Sequence, residues 1–354
     1  MKAEDSEAGS RKPGRSRAAE HMATAKEAVG ALVGVIDEVL NGLIAAGSKC
    51  ALLDFPFHAN VGDSAIWLGE KRWLALRNVT IVYEADMFSY REGAFRAIGD
   101  DAAVLITGGG SFGDVWPLAQ AAREKVLSQL AGRRIIQMPQ TVHFEKPENL
   151  THARDVIAAL KDFTLLCRDS RSLEVARESF ACPSLLCPDM AFALGPQSPS
   201  DSEVDCVWLA RTDKESAFAS ADIPSDVWRE DWTAEQETEL QSERWGLLRR
   251  LVGSETPDEE ALKSFSHVND VLAGARLSRG LALLSKGRGI VTDRLHGHIL
   301  AMLLGRPHVL VDNTYGKNRT FYETWTRECD AVELVDPRES TPADILRALQ
   351  RLTA

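Results

Sequence analysis

"CALLDFPFHANVGDSAIWLGEKRWLALRNVTIVYEA", residues 50–85, decides the fold class. "CALLDF" is a short apolar run of strand length. "DSAIWLGEKRWLAL" carries apolar residues at helical spacing, and "TIVYEA" is a second strand-like run. Short Val/Ile/Leu-rich strands separated by helices indicate a mostly parallel sheet covered on both faces.

The alternation extends in both directions. Upstream, Val29, Leu32, Val33, Ile36, Val39, Leu40, Leu43 and Ile44 predict a helix over 24–46, with Gly47 as its stop signal. Downstream, "AAVLIT", "RRIIQMPQ", "FTLLCR" and "SLLCPD" read as strands. The helices between them are "PLAQAAREKVLSQLAG", "PENLTHARDVIAALK" and "SRSLEVARESF". "LGPQSPSDSEVD", 194–205, is rich in Pro, Ser and Asp and reads as a boundary. A second alternation follows, with strands "CVWLAR", "GIVTD", "PHVLVDN" and "AVELV". Its helices are "HVNDVLAGARLSRGLALLSKG", "HGHILAMLLG", "KNRTFYETW" and "PADILRALQRL". The expected plan is a disordered tail (1–23), an N-terminal α/β domain (24–194) and a C-terminal α/β domain (195–354). Two Rossmann-like, doubly wound units in tandem place ligands at strand C-terminal ends, so a site between them is expected. The acidic stretch 212–260 fits least well. It holds Trp228, Trp232 and Trp245, and Trp228 and Trp232 share a face if that part is helical. Local packing and a sugar-stacking lid are both open there.

The chain has 354 residues, 44% hydrophobic, with a formal net charge of -11. An acidic chain without a long basic run is a poor nucleic-acid binder, though a local basic pocket can still take an anion. The six cysteines form no CxxC pair and no zinc spacing, so buried free thiols in a reducing, cytoplasmic setting are expected. No apolar run is long enough to cross a membrane. The polar N-terminal 22 residues lack a signal-peptide core, and peripheral contact with the inner membrane face is a minor expectation.

Four segments can carry chemistry. "HANVGDSAIWLGE", 58–70, follows a strand. Asp63 and Ser64 can cap a helix beginning near Ala65, and Asn60 and Asp63 can face a polar ligand, or the segment is a capped turn and nothing more. "ITGGGSFGDVW", 106–116, is neither GxGxxG nor a Walker sequence, and is either a binding loop or a strained turn. "CRDSRS", 167–172, puts Arg168 at a strand end, placed to grip an anion or to pair with a nearby carboxylate. In "TDRLHGHIL", 292–300, a helix separates His296 and His298 by roughly 200°, which argues against a shared metal. His296 is nearer the strand end and is the better site candidate, with Arg294, Tyr315 and Lys317 around it.

Together these segments resemble the polysaccharide pyruvyl transferase family, above all its bacterial exopolysaccharide members. The resemblance rests on "NVGDSAIWLGE", "GGGSFGDVW", "MPQTVHF", "CRDSRS", "CPDMAFAL", "LARTDKES", "TDRLHGHILAMLLGRPHV" and "DNTYGKNRTFYETW", in that order along most of the chain. It implies a glycosyltransferase B-like arrangement. It also implies transfer of a pyruvyl group from phosphoenolpyruvate to two hydroxyls of one sugar, giving a cyclic ketal and phosphate. In the family the histidine of the "RLHG" motif and the arginine after the mid-chain strand are linked to phosphoenolpyruvate, and here these are His296 and Arg168. The first domain would then hold much of the glycan or lipid-linked oligosaccharide acceptor.

A doubly anionic donor needs several cations. Arg168, Arg294, Lys317 and Arg211 are the candidates, with Tyr315 and Asn318 beside them. His296 is expected to act as general acid or to stabilise departing phosphate. Asp63 is a candidate base, or with Asn60 a positioner of the sugar, and Gly109, Gly110, Ser111 and Asp114 complete the acceptor set. No metal and no cofactor is expected beyond phosphoenolpyruvate as co-substrate. A glycosyltransferase using a nucleotide sugar, or a non-catalytic glycan-binding protein, are the competing readings.

Overall fold

The computed structural model describes residues 23–354 except 97, 98, 100, 213–215, 217–222, 226, 234, 236, 237, 254–258, 314 and 315. The tail expected over 1–23 therefore lies outside the described residues apart from Ala23, as does Tyr315.

Helix α1 (Ala25–Asn41) begins at a capping box between Thr24 and Glu27. It ends at Gly42, five residues before the predicted stop at Gly47. Strand β1 (Lys49–Leu53), helix α2 (Val61–Leu76) and strand β2 (Thr80–Ala85) form the βαβ unit read from the opening stretch. The cap of α2 is Asn60 rather than Asp63 or Ser64, because the Asn60 Oδ1 accepts the Gly62 N–H at 3.1 Å. After the short α3 (Glu92–Arg96) come β3 (Ala103–Ile106), β4 (Gly109–Gly113), α4 (Pro117–Gln129) and β5 (Arg134–His143). The first half closes with α5 (Pro147–Ala158), β6 (Asp162–Cys167), α6 (Ser170–Ser179), β7 (Ser184–Leu186) and a 3-10 turn at Met190–Leu194.

The second half contains β8 (Val204–Leu209), β9 (Trp228–Glu230), α7 (Glu239–Val252) and the 27-residue α8 (Glu259–Ser285). It continues through β10 (Gly287–Thr292), α9 (Leu295–Leu304), β11 (His308–Val311), α10 (Lys317–Phe321), a π-helical turn at Tyr322–Thr326, β12 (Val332–Val335) and α11 (Pro342–Thr353).

Among the described residues the strands form two all-parallel sheets. The first has the order β2-β1-β3-β5-β6-β7, with β4 pairing the far end of β5, and the second has the order β12-β11-β10-β8-β9. Both faces of the first sheet are covered, as the continuous apolar strands require. Cys50 and Leu52 pack into one core with α1, α2 and α9, while Ala51 and Leu53 pack on the other face with α4, α5 and α6 residues. The core on the α2 side also takes in Val207, Leu209, Ile290 and Leu310 of the second sheet. Helix α9 lies in that shared core, and all ten of its residues are buried, which matches its apolar circumference. Helix α1 also packs on α9 and the 3-10 turn, and Ala23 bridges to Cys329.

Three parts differ from the sequence reading. The glycine run is a strand, not a loop: β4 resumes the track of β3 after a break at Thr107 and Gly108. Gln137 and Gln140 fill that break by donating side-chain hydrogen bonds to Thr107 O at 3.1 Å each. Trp228 and Trp232 share no helix face. Trp228 opens strand β9 beneath the Lys286 ammonium, and Trp232 is buried in the following turn. Helix α7 is the third difference: it starts at a capping box between Thr238 and Gln241 and packs Leu240, Leu247, Leu248 and Leu251 at helical spacing, within a stretch that the sequence reading left unassigned. Among the described residues no helix is long and apolar enough to cross a membrane.

Candidate active site

Strand ends from both sheets meet around one buried carboxylate, Asp189, which follows β7 and caps the 3-10 turn by accepting the Ala191 N–H at 2.9 Å. Its Oδ2 accepts from Arg168 Nη1 at 2.7 Å and lies 3.4 Å from His296 Nε2. Burial alone would raise this carboxyl. The charges of His296 and Arg168 and the Ala191 N–H outweigh burial and hold it well below the usual carboxylate range.

Arg168 stands at the end of β6 and is 1% exposed. Its Nε donates to Thr141 Oγ1 at 2.8 Å, so Thr141 and Asp189 fix the guanidinium plane. Its carbonyl accepts from Trp325 Nε1 at 2.7 Å, which ties the π-helical turn of the second half to β6. The remaining amino group faces the glycine strand. A Cβ at Gly110 would lie 2.9 Å from Arg168 Nη2 and 3.9 Å from Lys317 Nζ. Two cations, one from each half, thus converge on a single point that only glycine leaves open.

His296 sits in the first turn of α9, 8% exposed, with its ring against Gly62. A Cβ at Gly62 would fall 2.2 Å from His296 Nδ1, so the glycine lets the N-terminus of α2 touch the imidazole. One residue further, Asp63 Oδ2 accepts from Asn60 Nδ2 at 2.8 Å and lies 3.4 Å from His58 Nε2. Asp63 Oδ1 is 3.7 Å from where a Cβ on Gly109 would stand. The structure therefore gathers Asn60, Asp63, Gly109, Gly110, Arg168, His296 and Lys317.

Other predicted site residues have different surroundings. Arg294 turns its fork onto Asp231, with Nε and Nη2 each 2.7 Å from a carboxylate oxygen. Arg211 lies past the end of β8, its N–H on Asp293 Oδ1. Asn318 ties two strand ends together by donating to Asp293 O and Val311 O, while its buried Oδ1 meets no hydrogen-bond donor among the described residues. Ser111 Oγ and O accept from Arg123. The Asp114 carboxylate holds the start of α5 through Glu145 N, Lys146 N and Asn149 Nδ2. Ser111 and Asp114 are thus committed to building the first half.

His298 faces away from His296. His308 Nδ1–H donates to Arg306 O at 2.8 Å, which leaves its Nε2 as acceptor for His298 Nδ1–H at 2.7 Å. His298 Nε2 then accepts the Thr326 hydroxyl at 3.1 Å. The chain of bonds is complete with both rings neutral, and burial lowers both pKa values, that of His308 to about 4.

Residues that sequence reasoning passed over include Asp189, Thr141, Asp231 and Glu70. Asp189 and Thr141 sit at strand ends inside "CPDM" and "MPQT", the position that marks Arg168. Glu70 accepts the Gly108 N–H at 2.9 Å beneath the glycine strand, and burial pushes its carboxyl up to about 8.

The family profile for polysaccharide pyruvyl transferase matches residues 60–315, a span that contains the whole cluster except Lys317. The chain is 33% identical over 302 residues to "Pyruvyl transferase 1" of Schizosaccharomyces pombe, covering 81% of this chain and 72% of that one. It is 26% identical over 323 residues to Bacillus subtilis EpsO, whose name assigns it provisionally to pyruvyl transfer, covering 87% and 97%. A crystal structure of an uncharacterized protein from Klebsiella pneumoniae superposes with a TM-score of 0.59 at 18% identity, covering 86% of this chain and 98% of that one. That likeness speaks to the α/β fold alone.

Proposed function

Because the chain belongs to the polysaccharide pyruvyl transferase family, and is therefore a transferase, we propose that it moves a pyruvyl group from phosphoenolpyruvate onto two hydroxyls of one sugar unit. The convergence of Arg168 Nη2 and Lys317 Nζ on Gly110 supports this reading most directly. A small donor bearing both carboxylate and phosphate needs fixed cations from more than one direction.

The donor lies between the two halves, in a cleft that divides an acceptor-side domain from a C-terminal domain. Arg168 and Lys317 bind its anionic groups. Arg211 and Asn318 line the strand ends behind Lys317, and Arg294, locked on Asp231, orients the turn that leads into His296. His296 delivers a proton to the methylene carbon or to the departing phosphate, with Asp189 stabilising the imidazolium. The first sugar hydroxyl adds to the cation-like carbon, the C–O bond to phosphate breaks, and the second hydroxyl closes the ring. Of the two hydroxyl protons, one ends on the new methyl group and one on phosphate, so no oxidant or reductant is needed. Asp63 accepts the first hydroxyl proton, and Asn60 positions Asp63. All six cysteines are free, which supports a reducing, cytoplasmic setting for this reaction.

The test is phosphate release from phosphoenolpyruvate in the presence of a glycoside panel, by the wild-type protein and by His296→Ala. Release that requires both substrates and is abolished in a folded His296→Ala variant is the expected result. Release of a nucleotide from a nucleotide sugar instead, or a His296→Ala variant that keeps most of its activity, overturns the reading.

A further inference from the structure

The geometry points to a saccharide-stacking platform formed by Phe57 and Phe88, which carries the sugar ring of the acceptor beside Asp63. This inference rests on the pyruvyl-transfer reading and extends it to how the acceptor is held. Phe57 follows β1 and Phe88 follows β2, so both lie at the strand C-terminal ends where Asp63, Gly109 and Arg168 are found. They are 37% and 42% exposed, and their rings meet edge to face at 4.8 Å. The two rings together form one continuous exposed apolar surface beside the candidate cluster.

Both loops are held rigid from below. The buried Arg276 guanidinium donates to Pro56 O at 3.2 Å and Phe57 O at 3.4 Å while paired with Glu235. Arg279 Nη2 donates to Ala59 O at 3.1 Å. On the other side, buried Asp86 accepts the N–H groups of Phe88 and Ser89 at 2.9 and 2.6 Å and is paired with Arg244. Two solvent-facing rings are thus kept in place by five buried or half-buried charged side chains. This also gives the segment 212–260 a role, since Glu235 and Arg244 belong to it. Preorganised aromatic faces of this kind cost little entropy when a ligand binds.

The polar side of the platform matches a sugar. His58 follows Phe57, its ring 5.8 Å from that of Phe57, and its Nε2 is 3.4 Å from Asp63 Oδ2. A pyranose has an apolar face of C–H groups and an edge of hydroxyls. Its apolar face lies on the phenylalanines, and its hydroxyls meet His58, Asn60 and Asp63 on the side toward His296. Small-molecule sites commonly combine aromatic walls with a few placed polar groups in this way.

The experiment compares the wild-type protein with Phe57→Leu, Phe88→Leu and the double variant, on a panel of methyl hexopyranosides with phosphoenolpyruvate. Leucine keeps apolar bulk in the loop and removes the ring face. The expected result is a KM for the active glycoside raised about five- to tenfold by each variant, with kcat and the KM for phosphoenolpyruvate changed less than about twofold. Phe57→Tyr and Phe88→Tyr should retain the wild-type KM. An unchanged glycoside KM in the double leucine variant overturns the platform, and so does an equal loss on both substrates. If the wild-type protein makes no ketal from any member of the panel, the reading of function fails by itself. Saturation-transfer NMR of the same glycosides then tests the platform separately: contact that weakens in the leucine variants supports it, and contact that is absent or unchanged overturns it.

Discussion

His296 Nε2 lies 3.4 Å from Asp189 Oδ2, and this contact joins helix α9, which follows the second sheet's β10, to the strand-end carboxylate that also fixes Arg168 in the first. The catalytic histidine and the donor-binding arginine of the proposed mechanism therefore share one buried anion. Residues of both halves of the chain are needed to build this cluster.

Asp189→Asn keeps the shape and removes the charge. Leaving the buried Arg168 without its anion should destabilise the fold by about 3–5 kcal/mol, the usual loss when one partner of a buried pair is removed. With His296 also deprived of its carboxylate, glycoside-dependent phosphate release should fall by about 100-fold or more. Thermal unfolding and turnover measured on the same sample check both parts. Wild-type values in both would remove Asp189 from the centre of the site.

Gly62→Ala tests the contact between α2 and the imidazole. In an unconstrained helix this change stabilises by about 0.5–1 kcal/mol. Here the new Cβ would sit 2.2 Å from His296 Nδ1, so the sign should reverse, with an overpacking cost of about 1–3 kcal/mol. The urea midpoint should drop and turnover should drop with it. A more stable and fully active Gly62→Ala variant is the contrary result.

Lys317→Gln should act on the donor. Losing a charge-assisted hydrogen bond of about 1.5–3 kcal/mol weakens phosphoenolpyruvate binding roughly ten- to a hundredfold. The KM for the glycoside should change little. Calorimetric titration with phosphoenolpyruvate reads the first effect, and an unchanged affinity would place Lys317 outside the donor site.

The α/β class with parallel sheets and several members of the candidate cluster were legible in the sequence, for a shared reason. A βαβ alternation puts ligands at strand C-terminal ends, and "NVGD", "CRDSRS" and "RLHG" each follow a strand. What could not be read was pairing across space. Arg294 and Arg168 look equivalent as strand-end arginines, yet Arg294 turns its fork onto Asp231, while Arg168, held by Asp189 and Thr141, directs Nη2 at Gly110 beside Lys317. Asp231 lies in the acidic stretch 63 residues before Arg294, and nothing local marks the pair. The glycine run shows the same limit. Gly109 and Gly113 have φ of +138° and +135°, values that suggest a loop, and only the neighbouring β5 makes a strand of them.

The buried pair His298–His308 predicts a pH dependence of stability. Both folded pKa values are depressed by burial, so the unfolded chain binds protons at these rings that the folded chain refuses. The stabilisation is fully present above the unfolded value of 6.5 and declines as pH falls from there toward about 4 for His308. The urea midpoint should therefore fall between pH 7 and pH 5, and the fall should be smaller in a folded His298→Leu/His308→Leu variant. An equal slope in both proteins assigns the acid sensitivity to other groups.

The most direct measurement is mass spectrometry of the glycoside panel after incubation with phosphoenolpyruvate and the wild-type protein. The expected product is one glycoside heavier by pyruvate less one water, formed with one equivalent of phosphate and carrying a ketal methyl signal in its NMR spectrum. Glycosides recovered unchanged with phosphoenolpyruvate intact across a broad panel, or a product bearing a newly transferred sugar, would contradict the proposed pyruvyl transfer.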